Sequence, residues 1–202
     1  MKPFNEDWIT NKTLPWLFVV TLLSMLCLGL TMANAEDNSR PVDKPRAAAE
    51  IYPAPWQNDK PEDDHSFECY GSVLIGSRHF GDEKGRTDYR CGWVNQFDRL
   101  EVVDKVWSGN LKESEHFYDC PPNTVMTGRR HRDDEHGSTA YQCAKVIDSW
   151  GNAIQVVPGP QVDVGDYENS VFECPENQAI TYRGHDGDTE SGNVFFKCGT
   201  LW

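Results

Sequence analysis

Six cysteines downstream of residue 60 fall into three near-identical frames, which constrains the fold more than any other feature of the chain. Phe67 to Cys91, Tyr118 to Cys143 and Phe172 to Cys198 each open with an aromatic two places before a cysteine. Each continues through an apolar run, a histidine, an acidic cluster and a glycine, and closes with an aromatic two places before a second cysteine. The opening cysteines are 51 and 54 residues apart, and their closing partners follow after 22, 23 and 24 residues. One supersecondary unit written three times cannot bury its apolar face alone, so the copies are expected to share a core.

The N-terminal segment reads differently. Trp16 to Ala33 is apolar, Lys2 and Lys12 precede it, and Ala33-Asn34-Ala35 is a small-x-small signal. Residues 1–35 are therefore expected to be a signal peptide cut before Glu36. An uncleaved membrane anchor is the alternative, because the leader is long and carries Glu6 and Asp7, and about 18 apolar residues is the lower edge of a span. Cys27 follows Leu26, where a lipobox would have Gly or Ala. Export leaves six cysteines in a compartment where disulfides persist. A unit copied three times should pair within itself: Cys69 with Cys91, Cys120 with Cys143, Cys174 with Cys198. Each closure stabilises by about 3 kcal/mol in the chain-entropy model. The spacings are too long for the knuckles of a zinc site.

The formal charge of −13 argues against nucleic acid and against anionic membrane surfaces, both of which need clustered Lys and Arg. Residues 36–65 hold Pro41, Pro45, Pro53, Pro55 and Pro61 with many charges, and are expected to be a disordered tether. Within it Tyr52 to Trp56 reads as an extended linker packing one aromatic on the domain, or as a docking peptide. Residues 66–202 then form one domain of three repeats, about 66–110, 111–165 and 166–202.

Each frame has the pattern of a β-hairpin. The first arms carry Val73-Leu74-Ile75, Val125-Met126-Thr127 and Ala179-Ile180-Thr181, and the second arms alternate, as in Thr87, Tyr89, Cys91. Acid- and Gly-rich turns lie between them. Gly76 and Gly128 interrupt two first arms and suggest a bulge, where the third copy has Tyr182. Leu100 to Trp107 and Ile154 to Val157 add strand-like runs, and no amphipathic helical stretch appears. The expectation is an all-β, pseudo-threefold domain closed as a β-trefoil or β-prism, which removes exposed sheet edges.

The hairpin tips concentrate the groups that carry chemistry: Arg78, His79, Asp82 and Glu83; Arg130, His131, Asp134 and Glu135; Arg183, His185, Asp188 and Glu190. On exposed turns, carboxylate and imidazole would accept from hydroxyls and guanidinium would donate, so a hydroxyl-rich ligand such as a glycan is the leading expectation, with three copies supplying avidity. A self-satisfied turn, each carboxylate pairing with its Arg or capping amides, is the structural alternative. No cofactor is required. Calcium is the candidate ion at Asp186, Asp188 and Glu190, although Ser191 and Lys197 stand where a helix-loop-helix calcium site needs Gly and a bidentate acid. Three equivalent sites with neither nucleophile elbow nor phosphate loop favour binding over turnover, so the chain is not expected to be an enzyme. A stapled structural, adhesive or inhibitory protein with a protein partner is the other class.

The sequence of aromatic, x, Cys, apolar run, Arg, acidic-Gly turn, aromatic, x, Cys resembles the cysteine-closed loops of dermatopontin-like extracellular proteins. The resemblance covers the loop frame and implies an extracellular adhesive or glycan-binding role. No binding residue is carried over, because the His and Asp-Glu-x-Gly-x-Thr pattern lies outside the shared frame. The expected location is secreted or periplasmic.

Overall fold

The computed structural model describes residues 48–82, 84–95, 100–133, 137–187 and 192–202. The expected signal peptide and the first part of the expected tether, to residue 47, lie outside them. Among the described residues the chain is all-β. Strands β1 (Glu50–Pro53), β2 (Gln57–Pro61) and β3 (Asp64–Glu68) precede a hairpin of β4 (Val73–Phe80) and β5 (Arg86–Asn95). Then β6 (Glu101–Trp107), β7 (Leu111–Lys112) and β8 (Glu115–Asp119) precede β9 (Thr124–Arg132) and β10 (Ser138–Ile147). Finally β11 (Val156–Asp166), a single 3-10 turn at Tyr167–Asn169 and β12 (Val171–Glu173) precede β13 (Gln178–Asp186) and β14 (Asn193–Leu201).

Each hairpin is the middle of one sheet: β1-β5-β4-β12 with β2 also on β5, β3-β9-β10-β6 with β7 also on β10, and β11-β14-β13-β8. The short strand before each opening cysteine pairs with a different hairpin from the one it leads into. Thus β3 pairs β9, β8 pairs β13 and β12 pairs β4, all antiparallel. This exchange sets His65 opposite His131 and His116 opposite His185. Disulfides join Cys69 to Cys91, Cys120 to Cys143 and Cys174 to Cys198, the pairing expected from the spacing.

Two apolar clusters fill the interior. One gathers Cys69, Cys91, Cys174 and Cys198 with Phe67, Phe172, Tyr89, Tyr141 and Phe196, and the other gathers Val73, Val125, Val146, Ile154 and Leu201. The register shifts after Leu74, at Gly128 and after Ile180, so all three first arms bulge. Glycine is needed at two of these places because a neighbouring backbone carbonyl and an outer tryptophan lie close. A Cβ on Gly76 would come within 2.9 Å of the Trp56 ring and 3.2 Å of the Phe172 carbonyl, and one on Gly128 within 2.5 Å of the Phe67 carbonyl and 3.3 Å of the Trp107 ring. In the third arm Tyr182 occupies the position, and Gln161 stands where the tryptophan would be.

The tether expectation fails from residue 48 onward. β1 and β2 both pair β5, Ala49 and Ile51 are buried in the second cluster, and Glu62 is fully buried. Proline density misled because Pro53 and Pro61 sit at strand ends, where no ladder N–H is required.

Candidate functional site

The three tip histidines were expected on exposed turns, and they are instead interior. His79, His131 and His185 are buried, with His131 and His185 at 0% exposure, and Arg183 is buried with them. Strand alternation explains the correction: after each bulge, the residue two places on from the first inward position faces inward again. Arg78 and Arg130 point outward and lie over tryptophans, Arg78 4.6 Å from the Trp56 ring centroid and Arg130 3.7 Å from that of Trp107. Arg78 also donates to Asp88 at 2.8 Å. Asp82 is exposed, and its carboxylate accepts from the Lys84 amide at 3.0 Å, which is turn capping. Asp186 is exposed at the end of β13. Glu83, Asp134, Glu135, Asp188 and Glu190 lie outside the described residues.

The interior histidines join a charged network that the tip pattern did not reveal. Glu62 accepts from His131 Nδ1 at 2.8 Å and from the hydroxyls of Thr87 and Tyr167, and pairs with Arg129 at 2.9 Å. Arg129 reaches Glu113 at 3.1 Å with its other terminal nitrogen, so one guanidinium spans both carboxylates. Arg129 also donates to Tyr89, whose hydroxyl meets His65 Nε2 at 2.7 Å. A parallel set links His116 Nε2 to the Tyr141 hydroxyl at 2.6 Å, and Arg183 donates to that hydroxyl at 2.7 Å. His65 and His116 each turn Nδ1 to a carbonyl, Pro61 and Glu113 respectively, which assigns Nε2 as the acceptor from tyrosine.

Burial alone would raise the Glu62 carboxyl, but Arg129 and hydrogen bonds from His131 and His79 outweigh it and hold Glu62 well below the usual range. Glu113 is lowered in the same way: burial opposes the shift, and Arg129 with its histidine neighbours overcomes it. Burial pushes His65 down to about 4 and His116 to about 3, so both are neutral near pH 7. The interior network thus holds two carboxylates, Glu62 and Glu113, and two guanidiniums, Arg129 and Arg183.

Two groups in this network have the donor set of a metal site. Glu62, His65 and His131 bring ligand atoms within 4.8 Å of one another, as do Glu113, His116 and His185. Glu113 Oε2, His131 Nε2 and His185 Nε2 have no hydrogen-bond partner among the described residues. The donors suit a transition metal, and Arg129 pairs with both of the carboxylates that would supply ligand oxygens.

Sequence reasoning missed Glu62, Glu113, His65, His116 and Arg129. The signal was present as repeated offsets: Glu62 and Glu113 stand seven places before an opening cysteine, and His65 and His116 four places before.

The outer surface carries a different kind of group. Tyr52, Trp93 and Tyr70 are 50%, 55% and 78% exposed. Tyr52 on β1 lies opposite Trp93 on β5, and the Cys69–Cys91 bridge joins the residues adjoining Tyr70 to those leading to Trp93. Gly71 at φ +65 turns the chain so that its Cβ position lies 3.9 Å from the Trp93 ring. Polar groups rim this patch: Glu50 accepts from the Tyr52 hydroxyl at 2.5 Å, and Lys105 lies 5.5 Å from the Tyr70 ring centroid.

No family model, no characterised protein and no solved structure matches the chain. Three disulfides are typical of extracellular proteins. Among the described residues no helix is long and apolar enough to cross a membrane.

Proposed function

We propose that the chain is an exported, non-enzymatic binding protein that recognises neutral hydroxyl-rich ligands, in the manner of a lectin. The recognition face is the disulfide end of the first hairpin and not the tips. The observation that carries this is the exposed Tyr52 and Trp93 pair on neighbouring strands, with the exposed Tyr70 beside the adjoining disulfide and polar groups at the edge. Aromatic faces pack on the apolar faces of sugar rings while nearby carboxylate and ammonium groups hydrogen-bond the hydroxyls. The net charge of −13 disfavours anionic partners. Secretion or periplasmic export is part of the same proposal, as is a pseudo-threefold, prism-like body of three lobes. The cyclic exchange of β3, β8 and β12 supports that symmetry, and the loop frame shared with dermatopontin-like proteins points to the same extracellular role.

Glycan-array binding by residues 36–202 tests the proposal. Trp93→Ala and Tyr70→Ala should each abolish the signal without changing the melting temperature, and Asp82→Ala should retain it. Loss of binding in Asp82→Ala with retention in Trp93→Ala would return the site to the tips. Chelator tests the calcium expected at Asp186, Asp188 and Glu190: sensitivity of binding supports it, and indifference removes it. Binding to no glycan would move the protein to the structural or protein-binding class.

A further inference from the structure

Two surface grooves of the same volume, about 510 Å³ each, lie beside the second and third disulfides. Their linings match by position. Tyr118 and Phe172 stand two places before the opening cysteine, and Pro121 and Pro175 one place after it. Thr124 and Gln178 stand four places after it, and Lys145 and Thr200 two places after the closing cysteine. The outer walls also correspond. β6 shifts register against β10 between Val103 and Val106, opposite the residue after Cys143, and β11 shifts against β14 between Pro158 and Gln161, opposite Cys198, so each outer strand is irregular beside its disulfide, one residue apart in offset. In the first hairpin the equivalent positions hold Tyr70, one place after Cys69, and Trp93, two places after Cys91. The aromatic platform and the two grooves thus occupy one location in three settings.

We propose that both grooves are further subsites for the same ligand class as the platform, a neutral mono- or disaccharide unit, which makes the chain trivalent. This rests on the glycan proposal above. The rims decide the charge of the occupant. In one groove Lys105 pairs with Glu68 at 3.8 Å and Lys145 with Asp104 at 3.0 Å, and in the other Glu173 pairs with Arg90 at 2.5 Å. Rims whose charges are already paired suit a neutral ligand. The floors are apolar, an aromatic ring and a disulfide, while Thr124 in one and Gln178 and Thr200 in the other offer hydroxyl and amide groups at the edge. An apolar floor with a few polar rim groups, at this volume, is the usual composition of a small-ligand pocket. Weak subsites of this kind gain through avidity on a repeated glycan.

The test is amide-resolved NMR titration of residues 36–202 with cellobiose, lactose and chitobiose at millimolar concentration. Shifts are expected at Tyr70 and Trp93, and also at Thr124 and Lys145 and at Gln178 and Thr200. Val106 and Val162 are 65% and 43% exposed at the groove walls, so Val106→Arg and Val162→Arg place a long charged side chain across each mouth at little cost to folding. Each should erase the shifts of its own groove alone and leave the platform unchanged. Platform shifts without groove shifts would overturn this inference and leave the glycan proposal standing. Groove shifts that survive the arginines would also overturn it. Groove shifts without platform shifts would retain the grooves and remove the platform, and silence throughout would remove both.

Discussion

Replacing Arg129 with methionine is the most demanding test of the interior. Methionine keeps much of the apolar stem and removes the guanidinium, which is 2.9 Å from Glu62 and 3.1 Å from Glu113 with its side chain 1% exposed. Removing one partner of a buried ion pair costs about 3–5 kcal/mol, because the remaining charge stays buried without compensation. Here one cation serves two fully buried carboxylates, so the upper end applies, about 5 kcal/mol. At roughly 2–4 °C per kcal/mol for a domain of this size, the melting temperature should fall by about 10–20 °C. Thermal unfolding followed by circular dichroism at pH 7 measures it. The double variant Arg129→Met with Glu62→Gln should recover part of the loss, since one orphaned charge is gone. A single-variant loss below about 1 kcal/mol, the size of an exposed pair, would refute the conclusion that this guanidinium holds the interior together.

Acid should unfold the protein through the same network. The folded values of His65 and His116, about 4 and about 3, lie below the unfolded value near 6.5, so between these limits the unfolded chain binds protons that the folded chain does not. Stability should be level above about pH 7 and decline as pH falls through that window, by on the order of 3 kcal/mol for His65 alone, with the lowered Glu62 and Glu113 adding to the loss below their usual range. Urea midpoints at pH 7, 5 and 4 check this, and a flat profile would contradict neutral burial. Gly76→Ala should cost about 1–3 kcal/mol, because its Cβ would meet Trp56 at 2.9 Å and the Phe172 carbonyl at 3.2 Å, whereas Gly109→Ala, with nothing within 4 Å, should be neutral by the same chemical denaturation.

The strand content, the hairpins and the disulfide pairing were legible because all three depend on local, repeated signals: alternation, turn residues and cysteine spacing. The bulge at Gly76 was legible for the same reason, since a lone glycine in a strand marks close backbone approach. The burial of His79, His131 and His185 was not. Alternation assigns a face, but a bulge of one residue exchanges the faces beyond it, and each histidine follows a bulge. The exchange of β3, β8 and β12 between hairpins was equally hidden, because short polar strands such as Asp64–Glu68 have little local preference and take their partner from the whole fold. That exchange brings Glu62 and Glu113 to the interior. Both lie in stretches whose composition reads as linker.

The departures of the third copy from the first two follow from charge. At the offset of Glu62 and Glu113 it has Tyr167, and at that of His65 and His116 it has Ser170. Arginine occurs at the corresponding first-arm position in the second and third copies, Arg129 and Arg183, and Ser77 in the first. Three identical copies would place three carboxylates and three guanidiniums in one small volume, each needing a full set of partners. Two of each, with Tyr167 donating to Glu62 in place of a third carboxylate, leaves fewer ions to desolvate. The stacking of Tyr167 on His185, with ring centroids 4.8 Å apart, fills the space that a third acid would leave. Arg183 and the three tip histidines are committed to the interior in this way, which is the physical argument for placing the proposed recognition face at the aromatic groups beside the first disulfide.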